Sequence, residues 1–287
     1  MKHWMRVFGV LALLIIVGFG LVVLWGRVMP PTSMKDQSVA GWQFRSQQWD
    51  GIITVKSDTL FMPWTSLMVR PGTKVLFEQE PQEKGMTWTP YADVFIKEHN
   101  DPTGTKEYQR AHFGLTGKII ALGTPEAPIL ITSAREEPDY ADWDQITLFK
   151  GSRLEYVQVS YAHNGVTVEG DGVVVRHSKF RDSLWSCVDI FSAGNTIENN
   201  EIYHCWHQAV GVKNHSGNII RNNFIHDAWL GVNCEYGATP TIIDNRFVAA
   251  PLTSDCPLGA GNTEETRPVD TRGGTYSGKL VYPAQQP

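Results

Sequence analysis

"LEYVQVSYAHNGVTVEGDGVVVRHSKFRDSLWSCVDIFSAGNTIENNEIYHCWHQAVGVKNHSGNIIRNNFIHDAWLGVN", Leu154 to Asn233, says one phrase twice: "NTIENNEIYHCW" from Asn195 and "GNIIRNNFIHDAW" from Gly217. Self-similarity at a fixed period is the signature of a repeat architecture. Val175, Ile197, Ile219 and Ile242 are 22, 22 and 23 residues apart. Ser178, Asn200, Asn222 and Asn245 follow with the same steps, and Phe180, Ile202, Phe224 and Phe247 come two residues later. A further track, Val166, Val188, Val210 and Val232, advances by 22 each time.

Inside each period lie short β-runs such as "GVTV" and "AVGV", separated by Gly, Asn, Ser and His, with no helical stretch. The Leu-rich consensus of a leucine-rich repeat of similar length is missing. The expected fold is therefore an all-β parallel β-solenoid of about 22 residues per coil. Equivalent residues of adjacent coils would sit one strand spacing apart, roughly 4.8 Å. Asn200, Asn222 and Asn245 would then form an internal ladder of mutually bonded amides, as buried polar groups require; solvated turn asparagines are the alternative.

The pattern resembles the parallel β-helix repeats of the pectate-lyase-like superfamily. "SLMVRPGTKVLFE" (Ser66 to Glu78), "LTGKIIALGTPEAPILITSA" (Leu115 to Ala134) and "DWDQITLFKGSRLEYVQVSYAHNGV" (Asp142 to Val166) look like the opening coils of bacterial right-handed β-helix domains. The resemblance implies an all-β right-handed parallel β-helix and leaves the activity open, because this fold hosts many chemistries. The paired aspartates and "RIK" of polygalacturonases, the "YG-DPH" segment of alginate epimerases and the calcium-binding aspartate cluster of pectate lyases have no counterpart here. No family active site carries over, and the chain reads as a binding protein more readily than as an enzyme.

The start, "MKHWMRVFGVLALLIIVGFGLVVLWGRVMPPTSM", holds an uncharged run of 19 residues, Val7 to Trp25. A signal-peptide core is typically ~7–15 residues, whereas this length suits a transmembrane span. No small-residue cleavage site follows it. Lys2 and Arg6 precede it, which places the N-terminus in the cytoplasm and the solenoid outside. The expected organisation is a cytoplasmic N-terminus (1–6), a signal anchor (7–25) and a linker with the solenoid's N-terminal cap (26–48). The β-helix follows (49–252), with an inserted flap at 78–114, and a tail (253–287) ends the chain.

Net charge is −5 and the basic residues are scattered, which excludes a nucleic-acid stripe. The cysteines show no zinc spacing. Cys234 and Cys256 are 22 apart, a disulfide candidate between adjacent coils outside the cytoplasm, while Cys187 and Cys205 read as buried thiols in different columns.

The same period organises polar residues. His163, Trp185, His207 and Trp229 form an alternating imidazole and indole column, and Asp182, His204 and His226 another, with Ser183, Cys205 and Asp227 beside it. Six of the nine histidines lie between His163 and His226, which directs attention to these coils. Flat indoles suit sugar rings, and a His/Asp row suits hydroxyls, so His163, Trp185, His207 and Trp229 are the candidate ligand-binding residues. Asp182, His204, His226 and Asp227 are the candidates for acid–base work. A bare structural stack explains the same columns. Asp182, His204 and His226 form a carboxylate-plus-two-His set, but one-strand spacing crowds them around an ion, so neither metal nor other cofactor is expected. Two functions follow: a membrane-anchored extracytoplasmic protein that binds, and possibly modifies, a polysaccharide, or an accessory subunit whose solenoid docks a membrane-protein partner. A secreted depolymerase fits poorly with a retained anchor.

Overall fold

The computed structural model describes residues 16–78, 114–138, 140–251 and 256–267. A helix, α1 (16–28), precedes 23 strands that all pair in parallel. Among the described residues no helix is long and apolar enough to cross a membrane. Residues 7–15 of the expected anchor lie outside the described residues, as do 79–113 of the flap and 268–287 of the tail.

The opening strands are β1 (Thr32–Gln43) and β2 (Gln47–Phe61), followed by β3 (Leu67–Val69), β4 (Lys74–Phe77), β5 (Leu115–Gly117), β6 (Ile119–Leu122) and β7 (Ile129–Ser133). Three-strand coils then settle in. They are β8 (Ile146–Leu148), β9 (Arg153–Glu155) and β10 (Val157–Ser160); β11 (Val166–Val168), β12 (Val174–Arg176) and β13 (Lys179–Ser183); and β14 (Ser186–Ile190), β15 (Thr196–Glu198) and β16 (Glu201–Cys205). Next come β17 (Gln208–Lys213), β18 (Ser216–Arg221) and β19 (Phe224–His226), then β20 (Leu230–Glu235), β21 (Thr239–Ile243) and β22 (Arg246–Val248). The last strand is β23 (Thr263–Glu265).

Each coil gives one strand to each of three faces. Face A stacks β5, β8, β11, β14, β17 and β20. Face B stacks β3, β6, β9, β12, β15, β18 and β21. Face C stacks β4, β7, β10, β13, β16, β19, β22 and β23. This is a parallel β-helix. Alternation puts apolar columns inside every face: Val166–Val188–Val210–Val232 and Val168–Ile190–Val212–Cys234 on face A, Val175–Ile197–Ile220–Ile242 on face B and Phe180–Ile202–Ile225–Phe247 on face C. All are buried, and each fully buried Val, Ile or Phe contributes about 1.5–3 kcal/mol. Phe77 stacks on Trp143 at 4.2 Å in the same core.

The columns correct the sequence register at one place. Ile197 pairs with Ile220, not Ile219, so the 23-residue step falls one coil earlier than expected. The turn between β17 and β18 takes in the extra residue, since the backbone NH of Asn195 bonds Asn218 across 23 positions. The turn between β19 and β20 gives it back, because Gln208 pairs with Leu230 at 22. Phe224 therefore faces outward and Ile225 fills the core.

The ladder shifts with it, to Ser178, Asn200, Asn223, Asn245 and Asn262. Asn200 N and Nδ2 donate to Asn223 Oδ1 at 3.0 and 3.1 Å, and Asn223 N and Nδ2 donate to Asn245 Oδ1 at 3.0 and 2.9 Å. Asn245 repeats the pair onto Asn262. Asn222 instead occupies the left-handed turn position before the ladder residue, with φ 54°, like His177, Asn199 and Asp244 in their coils. Asn tolerates that region because its short amide can bond locally. Asn262 and β23 carry the stack beyond residue 253, where the sequence pattern fades.

Two disulfides form, Cys234–Cys256 between neighbouring coils and Cys187–Cys205 between the first and last strands of one coil, leaving no free cysteine. The second corrects the expectation of two separate thiols. Cys187 opens face A and Cys205 closes face C of the same coil, and one circuit of the solenoid brings their Cα atoms to 5.6 Å despite their different columns.

Candidate functional site

The turn joining face C to face A carries the aromatic column. Trp185 N donates to His163 O at 2.8 Å and His207 N to Trp185 O at 3.0 Å, which locks the residues in register. The Trp185 and His207 rings stack at 4.2 Å with 18° between planes, and Trp229 meets His207 edge-on at 5.7 Å. All four residues are half-buried. His163 Nδ1 lies 3.8 Å from Asp144 Oδ1.

On the face C side of this ridge stand the acid–base candidates. One correction is needed: the register pairs Tyr203 with His226, so the corner column is Asp182, His204 and Asp227, and His226 belongs to the neighbouring column Arg181–Tyr203–His226. The left-handed turn recurs at Tyr161, Asp182, His204 and Asp227 with φ of 50–63°, which points these side chains sideways from the sheet. The four candidates nonetheless meet. His204 Nδ1 lies 3.2 Å from Asp182 Oδ1, and His226 Nδ1 lies 2.9 Å from Asp227 Oδ2. Tyr203 links the two pairs, stacked on His226 at 4.7 Å and edge-on to His204 at 4.9 Å.

Sequence reasoning missed the charged groups that frame these pairs. Arg267 donates twice to Asp227, at 2.7 and 2.8 Å, from 40 positions downstream and outside any repeat, so no signal announced it. Arg181 bonds Asp182 and lies over the Tyr161 ring at 5.2 Å. Burial works against the Arg181 charge, but the Tyr161 hydroxyl and Asp182 outweigh it and hold the guanidinium more firmly protonated than usual. Burial pushes the Tyr203 hydroxyl above its ordinary value of 10.0, with Arg181 opposing. Glu201 sits below the usual 4.5: burial raises it, but its bond to Lys179 at 2.6 Å and its proximity to His226 prevail. Arg181 and Tyr203 are 22 apart, so the period applied to every residue type would have found them.

On the face A side lies an amide and hydroxyl network, also missed. Gln145 Oε1 accepts from Thr167 Oγ1 at 2.8 Å. Gln208 Nε2 donates to Asp189 Oδ1 at 2.8 Å and to Ser186 Oγ at 3.0 Å, while Asn233 Nδ2 donates to Gln208 Oε1 at 2.7 Å. Gly211 makes room for this: a Cβ there would collide with both the Asp189 carboxylate and the Gln208 amide. Burial pushes the Asp189 carboxyl above its ordinary 3.8, against the pull of Lys213 and the bonds from Ser186 and Gln208. Lys213 itself pairs with Glu235 at 3.2 Å and lies over Phe191 at 5.4 Å.

The half-buried rings of the ridge can meet CH-rich apolar surfaces, and the half-buried Arg181, Tyr203, His204 and Asn233 beside it can reach polar groups, whereas Ser186, Asp189 and Gln208 are buried and bonded to one another. Among the described residues no group of three or more His, Cys, Asp or Glu is disposed to hold a metal ion.

A family description, the right-handed β-helix region, matches residues 164–252, which hold most of this site but not His163, Gln145 or Arg267. No curated protein sequence matches the chain. Among solved structures the chain is similar to a crystal structure of a single-site mutant of the periplasmic alginate epimerase AlgG, with 12% identity over 83% of this chain and 76% of that chain, at a TM-score of 0.35. A double mutant of the same epimerase matches at 12% identity over 84% and 82%, with a TM-score of 0.30. At that identity the likeness concerns the fold alone and carries no chemistry to this chain. The fold itself is a right-handed parallel β-helix.

Proposed function

We infer that the chain is a membrane-anchored, extracytoplasmic β-helix protein that binds a polysaccharide along the ridge of His163, Trp185, His207 and Trp229. The observation that carries this reading is the ridge itself: aromatic rings repeating coil by coil, with hydrogen-bonding groups on either flank. Indole faces suit sugar CH surfaces, and amides, hydroxyls and paired charges suit sugar hydroxyls and uronate carboxylates. A site repeated at strand spacing suits a polymer better than a single small molecule. An extracytoplasmic location is supported by the two disulfides, which form and persist in oxidising compartments. Anchoring rests on the uncharged run Val7 to Trp25.

The test is binding of the full chain, held in detergent, to a panel of acidic and neutral polysaccharides, with Trp185→Ala and Trp229→Ala beside it. Binding that both substitutions abolish supports the reading, and product analysis on the bound polymer would then show whether Asp182, His204, His226 and Asp227 act on it. No binding to any polymer would sink it in favour of the docking-subunit alternative, for which capture of a membrane partner is the next measurement.

A further inference from the structure

The helix α1 is packed on the solenoid, not joined to it by free chain. Gly26 is buried, and a Cβ there would meet the Phe44 carbonyl oxygen at 2.5 Å and Trp64 Nε1 at 2.7 Å, so the two backbones approach where only glycine fits. Phe19 meets Trp64 edge-on at 5.7 Å, and Val23 is half-buried. Positions 19, 23 and 26 form one helical stripe. Arg45 lies over the Trp25 ring at 4.8 Å and donates to the Pro30 carbonyl at 3.0 Å, fastening the chain just after the helix.

The rest of α1 is apolar and open to its surroundings. Ile16, Leu21, Leu24 and Val28 are 58–72% exposed, and Arg27 is the only charge from 16 to 28. A helix apolar on every side belongs in a protein core or in lipid. Among the described residues nothing covers these side chains, and the sequence before the helix, from Val7, continues the uncharged run. The adjoining rim of the first coil repeats the chemistry: Trp42 is 64% exposed and Phe44 45%. Indoles and arginines at the edge of an apolar span mark the headgroup level of a bilayer.

We propose that the first coil is a membrane-seated surface. Lipid is the occupant of the exposed faces of α1. Trp25, Trp42 and Trp64, with Arg27 and Arg45, lie at the headgroup level, and the Gly26 contact fixes the solenoid to the bilayer at its N-terminal rim. The proposal rests on the anchoring in the reading above and adds that the anchor is a rigid mount, so the Trp185 ridge stands at a set place relative to the membrane.

The full chain is reconstituted into vesicles of phosphatidylethanolamine and phosphatidylglycerol, with a nitroxide attached through Trp42→Cys or, on a distant coil, Thr241→Cys. Collision with an aqueous nickel chelate is read by electron paramagnetic resonance. The label at position 42 should be severalfold less accessible than the one at 241. Adding Gly26→Leu should leave the chain in the vesicles and make position 42 as accessible as 241; Trp64→Ala, which removes the helix's main contact without adding bulk, should do the same. Equal accessibility at 42 and 241 in the chain with Gly26 intact would overturn the rigid mount while leaving the anchor standing. Persistent protection of position 42 in both variants would remove Gly26 and Trp64 as the lock and overturn the proposal. Failure of the chain to associate with vesicles at all would instead refute the anchoring it rests on.

Discussion

Replacing Asn223 by alanine should be far more damaging than replacing its neighbour Asn222, although the two residues look interchangeable in the sequence. Asn223 is 2% exposed and joins three coils. Its Oδ1 accepts from the Asn200 NH and side-chain amide, and its own Nδ2 donates to Asn245 Oδ1 and to the Ile197 carbonyl at 2.9 Å. Truncation leaves the buried Asn200 NH without its acceptor, a cost of about 1–3 kcal/mol, and weakens the Asn200 amide, the Asn245 oxygen and the Ile197 carbonyl, so about 2–4 kcal/mol is expected in total. Asn222 is exposed and holds only the left-handed turn. Asn222→Ala should cost about 1 kcal/mol, the strain of a Cβ in that region. Urea unfolding of the full chain in detergent, followed by tryptophan fluorescence, would rank the two by midpoint at a common slope. An Asn222→Ala loss equal to or larger than that of Asn223→Ala would refute the register on which every outer column of the site is placed.

Two further outcomes follow from the site's surroundings. The folded-state pKa of Asp189 is raised, chiefly by burial, so its effect is most favourable below the carboxylate's unfolded value and is lost as pH rises through the folded value. Asp189→Asn, which can keep an oxygen for the Gln208 amide, should therefore be neutral in acid and increasingly stabilising toward neutral pH; a stability difference that shrinks or reverses with rising pH would contradict it. Cys187→Ala with Cys205→Ala opens a cross-link across 18 residues and should cost about 3 kcal/mol, measured as a lowered melting temperature relative to the oxidised chain; an unchanged melting temperature would show that the bridge constrains nothing.

The fold was legible because a solenoid is nearly one-dimensional: each coil contacts only its neighbours, so a 22-residue period in Val166, Val188, Val210 and Val232 is already the contact map of face A. Periodicity also put Trp185, His207 and Trp229 into one column and Cys234 beside Cys256. Where a turn gained a residue and the next lost one, the adjacent pairs Ile219/Ile220 and Asn222/Asn223 offered two identical choices each, and His226/Asp227 two polar ones. Only three-dimensional stacking, which must bury an aliphatic and satisfy a buried amide at every rung, selects between them. Contacts between different columns lay beyond any period as well. Cys187 reaches Cys205 after one circuit of the solenoid, Arg267 reaches Asp227 from the tail, and Gly26 meets Trp64 where a helix lands on the first coil. The sequence by itself thus determined what repeats along the axis. The tertiary structure decided what meets around it, because those encounters depend on how tightly each turn folds rather than on how far apart its residues are counted.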